Sequence, residues 1–401
     1  MFRSYFGAAL AVALFAGGAT AAEWRTSWYA APQPAWQEDF ALPTNVPAHV
    51  TGQTVREVLR LSVGGQRLRV VLSNRYGTVP LVVGAASIAR PAGAAGTIDG
   101  ASSRQLTFAG RTRITIPPGH EATSDTLTFR VTPRARLAVS AWYPEQAALT
   151  TFHWGAQQTG YIATGNATTA ATLPASRQLS GRAFVSAVHV EGSGATVVAF
   201  GDSITDGNGS TPDRDRRWPD ALAERLPNVA VANAGISGAR LLSSKMGVRA
   251  AERFGPDVLE QPGVTAVVLL IGINDIGWPG TPFAPADAVP TAAQLIAGYR
   301  ELIALARSRG VRVIGGTLLP FRGALASTPF EGYWRPAKEA VRQQVNTWIR
   351  DGGEFDAVAD FDAALRDPGD SQRMLPAYDS GDHLHPGDAG YTAMAQVVAR
   401  K

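Results

Sequence analysis

The sequence predicts an antiparallel β-sandwich followed by a doubly wound α/β domain, and three observations carry that prediction. From residue 23 to about residue 193, short alternating runs bounded by Gly, Pro, Asp or Asn recur without helical periodicity, as in a sandwich. Beyond Gly192-Ser-Gly194, apolar strands alternate with amphipathic helices, the pattern of a parallel sheet with helices on both faces. The first of these strands, Thr196-Val-Val-Ala-Phe200, ends abruptly in Gly201-Asp-Ser-Ile-Thr-Asp-Gly207. Open parallel sheets bind ligands beyond the carboxyl ends of their strands, so that loop is the first place to look for chemistry.

Length and composition agree with two folded parts. The chain has 401 residues, 45% apolar and 17% charged, which describes a globular protein with a sizeable core. Residues 1–22 read as a secretory signal peptide: Arg3 gives the positive start, residues 6–15 the apolar stretch, and Ala19-Thr-Ala21 the cleavage site. That leaves 23–193 for the sandwich and 194–401 for the α/β domain, in a secreted or periplasmic protein. The apolar stretch is too short to span a bilayer, and no later run approaches the roughly 20 residues a spanning helix needs, so no stable membrane anchor is expected. There is no cysteine, which removes disulfides, thiolate nucleophiles and cysteine metal sites. The net charge of +4 comes from scattered arginines, which argues against a nucleic-acid partner. The oligomeric state stays open.

In the first part, residues 56–63 and 67–73 alternate polar and apolar positions with Gly64-Gly65 between them, which predicts a hairpin. Further strands are expected at 81–88, 112–116, 126–131 and 137–142. Residues 152–154 and 159–162 are either the last strands or a cover over the next domain. Trp24, Trp28, Trp36, Trp142 and Trp154 suit core and interface positions better than sugar-stacking platforms. His49, His120, His153 and His189 lack metal-ligand spacing and are read as structural.

In the second part, strands are expected at 196–200, 229–232, 265–271, 311–314 and 357–360. Helices are expected at 219–226, 245–260, 292–308, 336–350 and 388–399. Five such strands suit a flavodoxin-like order of 2-1-3-4-5 in a three-layer α/β/α domain.

Gly201 and Gly207 let the first loop take sharp or left-handed dihedrals around Ser203. A serine hydroxyl needs a base, and the base an orienting group. One histidine cluster lies in this part, Asp382-His-Leu-His385-Pro-Gly-Asp388, before the last helix. Asp382 and His385, three apart across a turn, can set a carboxylate against one imidazole nitrogen and leave the other for Ser203. His383 neighbours Asp382 and points to the opposite face of an extended stretch. A metal held by these groups is disfavoured, since no second cluster or His-Glu-x-x-His is present. No cofactor is expected. Two more loops end on the same edge: Asn233-Ala-Gly-Ile-Ser-Gly238 and Gly272-Ile-Asn-Asp275. The N–H groups of Ser203 and Gly238 and the amide of Asn274 would make a three-donor oxyanion hole.

Taken together, Gly201-Asp-Ser203, Gly238, Gly272-x-Asn274-Asp275 and Asp382-x-x-His385-Pro386 resemble the four blocks of the SGNH/GDSL hydrolase superfamily, over residues 195–401. The resemblance implies Ser203 as nucleophile, His385 as general base and Asp382 as its orienting carboxylate. It also implies an oxyanion hole of Ser203, Gly238 and Asn274. The nearest match to an α/β-hydrolase elbow, Gly235-Ile-Ser-Gly-Ala239, lacks that motif's final glycine. A sandwich ahead of such a domain looks like carbohydrate esterases of the family 2 type. The expected activity is that of an exported serine esterase removing short acyl groups, acetyl above all, from a polysaccharide or small ester. The alternatives are a lysophospholipase or aryl or short-chain lipid esterase and, in another class, a polysaccharide-binding protein without catalysis. Trp278, Tyr333 and Trp334 either line the cleft or fill the domain interface.

Overall fold

The computed structural model describes residues 23–401 apart from 37–39, 41, 45 and 94. The expected signal peptide, 1–22, lies outside the described residues.

The first part forms two main antiparallel sheets. One runs Trp24–Tyr29, Val185–Glu191, Gly65–Ser73, Glu121–Thr123, with Leu127–Val131 also pairing Gly65–Ser73. The other runs Arg177–Leu179, Gly160–Thr164, Gln53–Arg60, Arg136–Tyr143, Ala85–Ala89, Arg104–Leu106. Leu68, Val70 and Leu72 from the first sheet share one apolar cluster with Leu137, Val139 and Ala141 from the second. The two-residue spacing is what a strand needs to send one face inward. The first sheet is covered on its other face too. Tyr29, Val71 and Ala187 belong to the core of the C-terminal half.

The expected hairpin does not form. Gln53–Arg60 and Gly65–Ser73 lie in different sheets, and the chain crosses between them through Leu61 N–H to the Ala135 carbonyl (2.9 Å) and Ser62 N–H to the Ser27 carbonyl (2.8 Å). Neither Gly64 nor Gly65 has a positive φ. They are small because a Cβ on Gly64 would lie 2.4 Å from the Val131 carbonyl oxygen. Alternation marks a strand without naming its partner, so a hairpin and a sheet-to-sheet crossover look alike in sequence. The run 81–88 likewise divides at Gly84 into Leu81–Val83 and Ala85–Ala89, in separate sheets. A Cβ there would meet the Trp142 ring at 2.6 Å.

The second part has one five-stranded parallel sheet, ordered Ala230–Gly235, Thr196–Gly201, Val264–Leu270, Arg312–Gly316, Ala357–Ala359, which is 2-1-3-4-5 in this half's own sequence order. The helices Trp218–Arg225, Ala292–Arg307, Pro336–Asp351 and Asp388–Val398 connect or close it. Thr291 and Gln294 form a capping box that starts the second of these. The helix expected over 245–260 is shorter. It begins at Ala250–Phe254 and widens into a π turn over Gly255–Leu259. Pro256 has no N–H to give and its ring opposes the regular register, which displaces the hydrogen bonds by a residue. Residues before it are held otherwise: Gln33 donates to the Met246 carbonyl at 2.6 Å.

The two halves meet through a buried charge cluster. Asp257 accepts from Tyr29 Oη (2.7 Å), Arg75 (2.7 Å) and Arg253 (3.0 Å). Arg253 in turn donates to the carbonyls of Gly201 (2.7 Å) and Ala234 (2.8 Å), the ends of the two strands that lead into the Ser203 and Gly238 loops. Removing one member leaves buried charge uncompensated. Asp257→Ala should therefore lower unfolding stability by about 3–5 kcal/mol, measured by urea denaturation of the full chain.

Candidate active site

The strand Thr196–Gly201 runs straight into a four-residue helix, Ser203–Asp206, capped by Asp202, whose carboxylate accepts from Ile204 N–H at 3.0 Å. Gly207 closes that helix at φ 110°, the left-handed conformation expected of it. Gly201 differs from expectation. It has no positive φ and is required for close approach, since its Cβ would lie 2.3 Å from both the Leu270 carbonyl oxygen and Thr205 Oγ1. As first residue of a helix, Ser203 has an N–H with no intrahelical acceptor.

Ser203 Oγ lies 2.7 Å from His385 Nε2, and His385 Nδ1 lies 2.6 Å from Asp382 Oδ2. The other Asp382 oxygen accepts the N–H groups of Leu384 (2.9 Å) and His385 (2.8 Å). Burial pushes the Asp382 carboxyl up, but these bonds and the His385 ring outweigh it and hold it well below the usual carboxylate range. An ionised carboxylate here directs the imidazole proton to Nδ1 and leaves Nε2 to face the serine. His383 points elsewhere. It is exposed, at φ 60°, with Nδ1 2.6 Å from Asp379. Among the described residues, no three His, Cys, Asp or Glu side chains converge as metal ligands would.

The glycine loop is a tight turn from Ile236 to Ala239, closed by a 3.0 Å bond from Ala239 N–H to the Ile236 carbonyl. Gly238, at φ 73°, occupies the position that requires a left-handed residue. A Cβ there would also lie 2.1 Å from Met246 Sδ. Asn274 Nδ2 donates to the Ala239 carbonyl at 3.0 Å and keeps its second hydrogen free of that bond. Its Oδ1 accepts from Tyr333 Oη at 2.8 Å, while the Ala239 carbonyl, which can only accept, fixes Nδ2 as the donor end. Asp275 accepts from Leu241 N–H (2.7 Å) and Leu242 N–H (2.8 Å), holding the far end of the same loop.

Sequence reasoning missed several supports. Tyr333 appeared there only as an aromatic for cleft or interface; it is fully buried behind Asn274. Trp278 is buried as well, stacked on Phe283 at 4.3 Å and edge-on to Tyr333 at 4.8 Å. Trp334 is only partly buried, beneath Arg322. Lys338 donates to the carbonyls of Gly277 (2.6 Å), Pro279 (2.8 Å) and Gly332 (2.8 Å), tying the Asn274 helix to the segment bearing Tyr333. Burial, with Arg335 nearby, lowers its ammonium to about 8. His153, read as structural, is buried with Nε2 3.0 Å from Asp206. No local pattern announces contacts of this range.

Residues 199–393 match the model of the GDSL-like lipase/acylhydrolase family. This stretch is a GDSL-like lipase/acylhydrolase domain. The protein is a carboxylic-ester hydrolase. Solved structures similar to the chain include a G-D-S-L family protein from Desulfitobacterium hafniense, at 22% identity and TM-score 0.39, covering 52% of this chain and 99% of that one. Others are Est24, a carbohydrate acetylesterase from Sinorhizobium meliloti (16%, TM-score 0.40, 52% and 97%), and an aryl esterase from M. smegmatis (17%, TM-score 0.40, 52% and 97%). No curated protein matches the sequence.

Two outcomes follow from this geometry. Tyr333→Phe leaves Asn274 Oδ1 unpaired and its amide held by the Ala239 carbonyl alone. Ester turnover should fall about tenfold in kcat with KM little changed, in steady-state assays with p-nitrophenyl acetate. The second concerns Asp202 and Asp275, which burial pushes up to about 7 and about 6 against the N–H groups that bond them. A carboxyl whose pKa is raised on folding adds stability that is complete below its ordinary value of 3.8 and is lost as pH rises through about 7. Asp202→Asn should therefore gain on the wild type in urea midpoint as pH rises from about 4 to about 8.

Proposed function

We propose that the protein is an exported serine esterase that hydrolyses short acyl esters, acetyl above all, on a polysaccharide. The observation that carries the catalytic reading is the unbroken line from Ser203 Oγ through the His385 ring to the Asp382 carboxylate, at 2.7 and 2.6 Å. In this reading Ser203 attacks the ester carbonyl as His385 Nε2 takes its proton. Asp382 holds the ring and stabilises the imidazolium. The N–H groups of Ser203 and Gly238 and the Asn274 amide receive the oxyanion of the tetrahedral intermediate. His385 then protonates the leaving alcohol, and water, activated by the same ring, releases the acid from the acyl-serine.

We read residues 23–193 as a β-sandwich domain and 194–401 as a three-layer α/β/α hydrolase domain. The shared apolar cluster of the two antiparallel sheets and the 2-1-3-4-5 parallel order support this. The signal-like start of the sequence and the second part built onto the hydrolase support a glycan substrate.

Ser203→Ala should lower kcat by about 10⁴–10⁶-fold and abolish labelling by an organophosphonate. His385→Ala should nearly abolish turnover, and His383→Ala should cost about tenfold or less. Near-full activity in Ser203→Ala, or a reversed order of the two histidines, overturns the assignment. An acyl-chain series from acetate upward, run beside acetylated xylan and a lysophospholipid, tests the substrate class.

A further inference from the structure

The esterase machinery lies in the C-terminal half, yet one of its supports comes from the other half. His153, on the strand Thr151–His153, is 4% exposed. Its Nδ1 lies 3.0 Å from the Ala31 carbonyl and its Nε2 3.0 Å from Asp206 Oδ1. Both ring nitrogens thus face oxygen atoms, one on the Ala31 backbone and one on Asp206. Asp206 is the last residue of the Ser203 helix and is fully buried. Its second oxygen accepts from Ser237 N–H (3.0 Å) and Ser237 Oγ (2.7 Å).

Ser237 immediately precedes Gly238. One carboxylate therefore ties the nucleophile helix to the glycine loop, and a ring from the N-terminal half holds that carboxylate. The approach is close. Gly155 lies so near that a Cβ would fall 2.1 Å from Asp206 Oδ2. Gln157 Nε2 also reaches Asn208 Oδ1 at 3.1 Å, just beyond the helix. The loop thus has three anchors: Asp206 at Ser237, Asn274 at Ala239 and Asp275 at Leu241 and Leu242. Two belong to the recognised motifs. The third depends on His153.

We infer that His153 is a positioning residue: through Asp206 it sets the Gly238 amide relative to Ser203, so the N-terminal half completes the oxyanion hole. This rests on the proposed roles of Ser203 and Gly238. A donor misplaced by a fraction of an ångström stabilises the transition state less while leaving ground-state ester binding nearly intact.

The test uses the full chain with p-nitrophenyl acetate. His153→Ala should lower kcat about 10- to 100-fold with KM within about twofold. Affinity for a boronic-acid transition-state analogue should weaken in parallel with kcat/KM. Ser237→Ala, which removes a single donor from the same carboxylate, should move both in the same direction by a smaller factor. The double variant should lose less than the product of the two single losses, since both act through Asp206. His153→Gln retains one donor toward Asp206 and should fall between wild type and His153→Ala; if His153→Ala does not fold, His153→Gln and Ser237→Ala decide the matter. Wild-type kcat in the folded His153 variants, a change in KM alone, or fully multiplicative losses would overturn the inference. Ser203→Ala is measured alongside. An active Ser203→Ala removes the site reading itself, whereas an inactive one beside unimpaired His153 variants removes only the role of His153.

Discussion

A guanidinium with no solvent around it organises the active edge of this molecule. Arg253 is fully buried, and a charge in that position is tolerable only where oxygen atoms surround it. It finds them in the carboxylate of Asp257 and in the carbonyls that end two adjacent strands, with the Phe200 ring 3.9 Å beneath. Those carbonyls belong to Gly201 and Ala234, and the chain reaches Ser203 and Ser237 a few residues later. The same Asp257 binds Arg75 and Tyr29 of the other half. One buried ion pair therefore fixes the launch points of both loops and the seam between the two parts of the chain.

From those launch points the site is built by carboxylates and amides that hold backbone, not substrate. Asp202 caps the serine helix, Asp206 and Asp275 hold the two ends of the glycine loop, and Asp382 holds its own turn while orienting His385. Tyr333 and Lys338 hold Asn274 and its helix from behind. The working parts are few, and most of the polar residues nearby keep them still.

What the sequence made legible follows from range. In the C-terminal half each strand and helix carries its own period, so Ser203, Gly238 and Asn274 could be placed in loops after strands, and Asp382 and His385 in the turn before the last helix. In the N-terminal half the strands were visible but their partners were not. Residues 56–63 and 67–73 alternate correctly for a hairpin they do not make, because pairing is decided by Val131, Ala135 and Ser27, far away in sequence. The strand Val185–Glu191, interior to its sheet, went unnamed because Ser186 and His189 interrupt its apolar run. His153 and Tyr333 escaped for the same reason. Each acts on a partner more than fifty residues away, His153 on Asp206 and Tyr333 on Asn274.

The sheet that holds Gly65–Ser73 and Val185–Glu191 is apolar on both faces, with Leu68, Val70 and Leu72 turned to one core and Val71 and Ala187 to the other. This makes the N-terminal half a poor candidate for exchange. A unit that travels between genes must arrive with a wettable exterior, whereas this one carries an oily side shaped to Phe200, Ala234 and their neighbours. A chimaera joined at the Gly192–Gly194 crossing would have to match that side residue for residue or expose it to water. A substitution at Val71 or Ala187 is therefore felt in the core of the hydrolase half as well as in its own.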